Sequence, residues 1–161
     1  MIFICDVMLG KLTRYLRILG LDTLYIKGYR ELTGIIERSK PYYFFTRRTK
    51  NVPQGSILIR SDHIKEQIDE VLPIIAPYIE KRLILSRCLD CNTVLVDTEK
   101  REIEGGVPEF VYHRHDRFKV CPSCKKIYWG GTHTENMKRF VESLFGDSQS
   151  PADTLNIEHE A

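Results

Sequence analysis

Cys88-Leu89-Asp90-Cys91 and Cys121-Pro122-Ser123-Cys124 are two C-x-x-C pairs with twenty-nine residues between them. That spacing lets two tight knuckles face each other and surround one zinc ion with four thiolates. A filled tetrahedron leaves no position for water, so this zinc is expected to be structural and any chemistry must lie elsewhere. Two disulfides would need an oxidising compartment, and a redox role suits one C-x-x-C rather than two matched ones. The fifth cysteine, Cys5, follows the apolar run Ile2-Phe3-Ile4 and reads as a small core residue.

Carboxylates and cations supply the other chemistry. Asp6 ends an apolar run and precedes a helical pattern. A carboxylate there could hold a divalent cation, or it could cap the helix that follows. Lys11, Arg14 and Arg17 recur at intervals of three on that helix. They could hold phosphate oxygens, with Arg as the planar bidentate donor, or form a solvated face. Thr46-Arg47-Arg48-Thr49-Lys50 is a basic cluster after a strand pattern. It could contact phosphates, which position a nucleic acid without reading its sequence, or it could be a solvated loop. Asp62 is open to two readings, second metal ligand or helix N-cap. Glu31 could reach the same rim, although helix N-termini favour Glu for dipole reasons alone. His113 and His115 would point the same way in an extended loop, and a four-thiolate site needs neither of them nor His133.

The elements that must position these residues alternate. Ile2–Cys5 fits a strand buried on both faces. Met8, Leu9, Leu12, Leu16 and Leu19 mark a helix closed by Gly20. Strands are expected at 22–26, 42–45 and 57–59. Helices are expected at 31–38 and 63–80, the latter kinked or split by Pro73. The alternation predicts an α/β fold with a parallel sheet, in which ligands bind beyond the carboxyl ends of the strands. Asp6, Thr46 and Asp62 all follow such ends. Past Cys91 the pattern changes to short ribbon strands at 93–96 and 118–120, with an extended polar loop over 104–117. Thr132-His133-Thr134-Glu135 fits a capping box, opening a helix that carries Met137, Phe140, Val141 and Leu144 on one side.

The chain has 161 residues, 42% hydrophobic and 29% charged, enough for one ordinary core and one small module. We expect domains at 1–84 and 85–145, and a disordered acidic tail at 146–161. The net charge of +2 is uneven: +5 over 1–86, +1 over 87–145 and −4 over 146–161. The basic N-terminal part permits a polyanionic partner. No charged leader precedes the first apolar run, and no apolar stretch approaches the roughly 18 residues of a membrane span. A cytoplasmic chain without a membrane partner is expected.

The chain resembles the Mut-seven C-terminal RNase domain family, a PIN-like nuclease domain followed by a zinc ribbon. The resemblance rests on Phe3 to Gly20, Asp22-Thr23-Leu24-Tyr25, Ile59-Arg60-Ser61-Asp62 and Glu66-Gln67. In the ribbon it rests on Arg87 to Asn92, Val107-Pro108, Phe118 to Cys124 and Tyr128-Trp129-Gly130-Gly131-Thr132-His133. It implies RNA as partner and cleavage of phosphodiester bonds by a water activated on magnesium or manganese. Asp6 matches the family's first acidic position, with Asp62 and Glu31 as further candidate catalytic carboxylates. Arg14 and Arg17 match its basic helix. One position departs: where the family has Thr-Arg-Asp, this chain has Thr46-Arg47-Arg48. A carboxylate becomes a cation, a swing of two charge units that disfavours a bound metal ion. The departure leaves two readings, a ribonuclease with an altered ligand set and an RNA-binding module that has lost catalysis, beside a third without nucleic acid, a protein-interaction adaptor built on the ribbon.

Overall fold

A computed structural model of the chain describes residues 1–36 and 41–145. The chain divides into two compact units, Met1–Glu80 and a second that begins at Lys81. The end of the expected 31–38 helix and the tail at 146–161 lie outside the described residues.

The first unit is a four-stranded parallel sheet of β1 (Ile2–Asp6), β2 (Thr23–Ile26), β3 (Tyr42–Thr46) and β4 (Ile57–Leu58), in the order β2-β1-β3-β4. Alternate residues of each strand feed opposite faces. On one face Ile4, Ile26 and Phe44 pack with Leu32, Tyr29 and Ile35 of helix α2 (Tyr29–Ile36). On the other face the Phe3 ring meets Tyr43, Phe45 and Tyr78 at centroid distances of 5.9, 6.2 and 5.6 Å. Helices α1 (Gly10–Ile18) and α3 (Ile64–Ile75) pack against each other, and α1 lies along β1 and β2. Near-continuous apolar strands are what such a two-sided burial requires.

Helix α1 ends as its sequence predicts. Gly20 has φ of 80°, its N–H reaches the Arg17 carbonyl at 3.0 Å, and the Leu21 N–H reaches Leu16 at 3.1 Å. This pair of bonds satisfies the last carbonyls and needs a residue without a Cβ at the turn. Pro73 does not split α3, which runs through it to Ile75 before tightening into a 3-10 turn at Ala76–Tyr78. Pro73 is on the exposed side of the helix, where water can serve the carbonyl that its missing N–H leaves open.

The second unit holds an antiparallel sheet β5-β6-β7, formed by Val96–Thr98, Phe118–Val120 and Ile127–Trp129. The strand expected at 93–96 starts later, and Val94 contributes only an isolated bridge to Arg87. The segment 104–117 is not an extended loop. It contains helix α4 (Glu109–Arg114), preceded by a 3-10 turn at Lys100–Ile103. Ile103 and Val111 pack on Phe118 as a small apolar core, with Val107, Tyr112, Ile127 and Trp129 around it. A few apolar side chains among many charges decided the local structure there. His113 lies in α4 and His115 just past it, so the two do not share an extended face. Helix α5 (Thr132–Phe145) follows β7, with the backbone of His133 in its first turn.

Candidate nucleic-acid site and metal centre

The chain leaves β1 toward β2 on one side and later returns to β3 on the other, so the order reverses between β1 and β3. A crevice outside the carboxyl ends of the strands at such a reversal is where open α/β sheets bind ligands. Cys5 is in register with Phe45, which sets Asp6 and Thr46 side by side one residue further on. Both continue the Ile4 and Phe44 face, toward α2.

Asp6 is 3% exposed and accepts through both oxygens. Its Oδ1 accepts the Met8 N–H at 2.9 Å, capping the 3-10 turn Val7–Leu9. Its Oδ2 accepts the buried Thr46 hydroxyl. Thr46 Oγ1 in turn accepts the Arg48 N–H at 3.0 Å. The Arg48 side chain folds back over this pair, with Nε 3.9 Å from Asp6 Oδ2 and its guanidinium carbon 5.2 Å from the Tyr29 ring centre. A buried carboxylate needs a counter-charge and hydrogen bonds, and these residues supply both. The contact with the Tyr29 ring holds the guanidinium from its other side.

The remaining candidates are placed differently. Glu31 is exposed in the first turn of α2 and accepts the Lys27 N–H at 3.3 Å. Asp62 is exposed beyond β4, 3.6 Å from His63 Nε2. The loop that carries Asp62 is fixed by Glu70, whose two oxygens accept the Arg60 and Ser61 N–H groups at 2.9 Å each. Among the described residues, Asp6, Glu31 and Asp62 do not form a group of three ligands; the four cysteines do. A divalent cation therefore does not fit Asp6 as the site is arranged. Each oxygen already accepts a hydrogen bond, no group of three ligands includes Asp6 among the described residues, and the Arg48 guanidinium stands close to Oδ2.

Lys11 and Arg14 are exposed on α1, but Arg17 is 5% exposed and its Nε donates to the Thr23 carbonyl at 3.0 Å. The expectation of three cations on one face is corrected here by helix geometry. A spacing of three falls about 60° short of a full turn, so two steps carry Arg17 about 120° around from Lys11, toward β2. Arg47 and Arg48 are half-buried, and Thr49 and Lys50 are exposed.

In the second unit the two knuckles repeat one backbone pattern. The Asn92 N–H reaches the Cys88 carbonyl and the Lys125 N–H the Cys121 carbonyl, both at 2.9 Å. Asn92 and Lys125, the fourth residue after each first cysteine, both take positive φ, at 69° and 64°. The four sulfurs lie within 4.8 Å of one another, with Cys91–Cys121 at 3.2 Å and Cys88–Cys124 at 3.6 Å. A tetrahedron with metal–sulfur bonds near 2.3 Å needs sulfurs about 3.8 Å apart, so a slight expansion admits one ion. Burial works against ionising Cys91, but hydrogen bonds with Thr93, Cys121 and Cys88 outweigh it and lower the thiol to about 6. The Lys126 backbone favours the Cys124 thiolate, yet burial and the neighbouring sulfurs push it up to about 12. One sulfur ionises readily and another resists until a cation supplies the opposing charge.

Two residues to which sequence reading gave no role complete these sites. Tyr29 supports Arg48 through a contact that joins distant parts of the chain, and no local spacing announces it. Buried Tyr128 donates to Cys88 Sγ at 3.1 Å and accepts the Leu89 N–H at 3.2 Å, bracing the first knuckle. Its signal was position, since alternation on β7 turns it to the face opposite Ile127 and Trp129.

Among the described residues no helix is long and apolar enough to cross a membrane. A family model described as the Mut7-C RNAse domain matches residues 1–141. No curated protein and no solved structure matches the chain.

Proposed function

We propose, from the premise that the chain belongs to the Mut7-C RNAse domain family, that it acts on RNA at the carboxyl rim of its parallel sheet. The observation that carries the placement is the convergence of Asp6, Thr46 and Arg48 at the point where strand order reverses. Arg48 and Arg47 would engage phosphate oxygens there, with exposed Lys11 and Arg14 supporting the RNA backbone from α1. Asp6 is the one buried carboxylate of the three candidates, so it is the group placed to take a proton from an attacking water. The four cysteines would hold zinc, which suits an all-thiolate tetrahedron and stabilises the second unit without taking part in the chemistry.

Cleavage of the phosphodiester bond is the reading the family supports, and magnesium or manganese dependence is its finer form. That form requires Asp6 to exchange its present partners for a cation. A second reading, RNA binding without cleavage, is favoured by the Arg48 guanidinium beside Asp6. One experiment decides between them. Labelled RNA is incubated with the zinc-loaded protein, with magnesium, with manganese and with EDTA, beside an Asp6→Asn variant. Products from the wild type alone support cleavage at Asp6, and their dependence on added magnesium or manganese, with the zinc retained, supports the metal-dependent form. Equal background from both proteins, with salt-sensitive RNA binding intact, establishes the second reading. Absence of RNA binding at low salt rejects both.

A further inference from the structure

We infer that Arg48 is a built-in counter-ion that fills the cation position at Asp6, so that this chain excludes divalent metal there and a single charge reversal at residue 48 would admit it. The inference does not depend on the RNA reading, because it concerns what the crevice binds in the absence of nucleic acid, but it opposes the magnesium- or manganese-dependent form of cleavage at Asp6.

Three observations converge on it. The first is electrostatic. Asp6 is buried at the sheet rim, and a buried carboxylate without a counter-charge is costly. Arg48 Nε at 3.9 Å from Oδ2 supplies that charge. The second is positional. The guanidinium is held between Asp6 and the Tyr29 ring, 5.2 Å from the ring centre, while the backbone of Arg48 is tied to Thr46. Its place is set by both ends of the residue. The third is the lack of companion ligands. Oδ1 accepts one hydrogen bond from Met8 and Oδ2 one from Thr46, and among the described residues no group of three carboxylate or imidazole ligands surrounds them. Divalent cations of the magnesium class need several oxygens at about 2.1 Å, and a fixed positive charge beside the ligand weakens their binding.

The same geometry says what would change the outcome. An acidic side chain at 48 would remove the cation and add a second carboxylate, bringing two carboxylates and the Thr46 hydroxyl to one point. Replacement by glutamine would remove the charge alone.

The test is manganese binding by the zinc-loaded protein, read from loss of the free-ion EPR signal. Wild type, Arg48→Asp, Arg48→Gln and the double variant Asp6→Asn/Arg48→Asp are compared, with zinc content and far-UV circular dichroism as folding checks. The thiolate site is soft and occupied, so it does not compete for manganese. The expected result is no binding by wild type up to about 1 mM, binding at least about tenfold tighter by Arg48→Asp, and loss of that binding in the double variant. If Arg48→Asp does not fold, Arg48→Gln must still bind more tightly than wild type. Manganese binding by the wild type that Asp6→Asn removes would overturn the inference, and so would a folded Arg48→Asp that binds no better than wild type. Either failure leaves the RNA reading standing, and failure of RNA binding leaves this readout unchanged.

Discussion

The Thr46 hydroxyl donates to Asp6 Oδ2 across the one gap in the sheet where strand order reverses, joining the ends of β1 and β3. The bond is buried, involves a charged acceptor and ties together residues forty positions apart. Hydrogen bonds of that kind contribute more than neutral exposed ones.

Replacing Thr46 by Val keeps the shape and removes the donor. We expect Thr46→Val to lose about 1.5–3 kcal/mol of stability, the range for a hydrogen bond to a charged group. Urea unfolding of the zinc-loaded protein measures it. An unchanged midpoint would show that Arg48 and Met8 suffice to satisfy Asp6.

The cations of α1 should separate into two kinds. Lys11→Ala and Arg14→Ala are expected to weaken RNA binding and lower the salt slope by about one unit each, with little effect on thermal unfolding. Arg17→Leu should do the reverse, lowering the melting temperature while leaving the salt slope unchanged, because Arg17 is spent on the Thr23 carbonyl. Fluorescence anisotropy over a salt series, beside melting curves, checks both.

Thiol chemistry should report the two units separately. Burial pushes the Cys5 thiol up to about 12 from 9.0, so it stays protonated and unreactive near neutral pH. Because its folded value lies above the unfolded one, its contribution to stability is intact below pH 9 and is lost as the pH rises toward 12. A thiol reagent at neutral pH should find no fast sulfur in the zinc-loaded protein, a fast Cys91 after chelation, and all five cysteines after denaturation. A fast-reacting Cys5 in the native protein would contradict its burial.

Tyr128→Phe removes the hydroxyl that braces Cys88. We expect zinc affinity to fall by about 10- to 100-fold, as for loss of an outer hydrogen bond to a metal ligand. Competition with a chromophoric chelator measures it.

How much of this was legible beforehand depends on the distance over which each signal acts. The two C-x-x-C pairs, the Leu periodicity of α1 with its closing Gly20, and the alternation of strand and helix are local patterns. They carry the parallel sheet and the four-cysteine cluster because repeat spacing and tight turns are decided within a few residues. The polar stretch 104–117 misled because Val111, few like it among many charges, became helical and packed inward with Val107 only once Phe118 and Ile127 gave them a core.

What the sequence determined alone was therefore the set of elements and the chemistry each could carry. The tertiary structure decided which candidates meet. Asp6, Thr46 and Arg48 converge because β1 and β3 are neighbours in register, and the Tyr29 ring joins them from α2. Arg17 leaves the surface because the pitch of α1 turns it toward β2. Asp62 and Glu31, also carboxylates past strand ends, are held by their own loops and turns. Residue type and spacing set what a side chain can do, but a carboxylate meets a hydroxyl and a guanidinium only when strand order and register bring their backbones within a few ångströms.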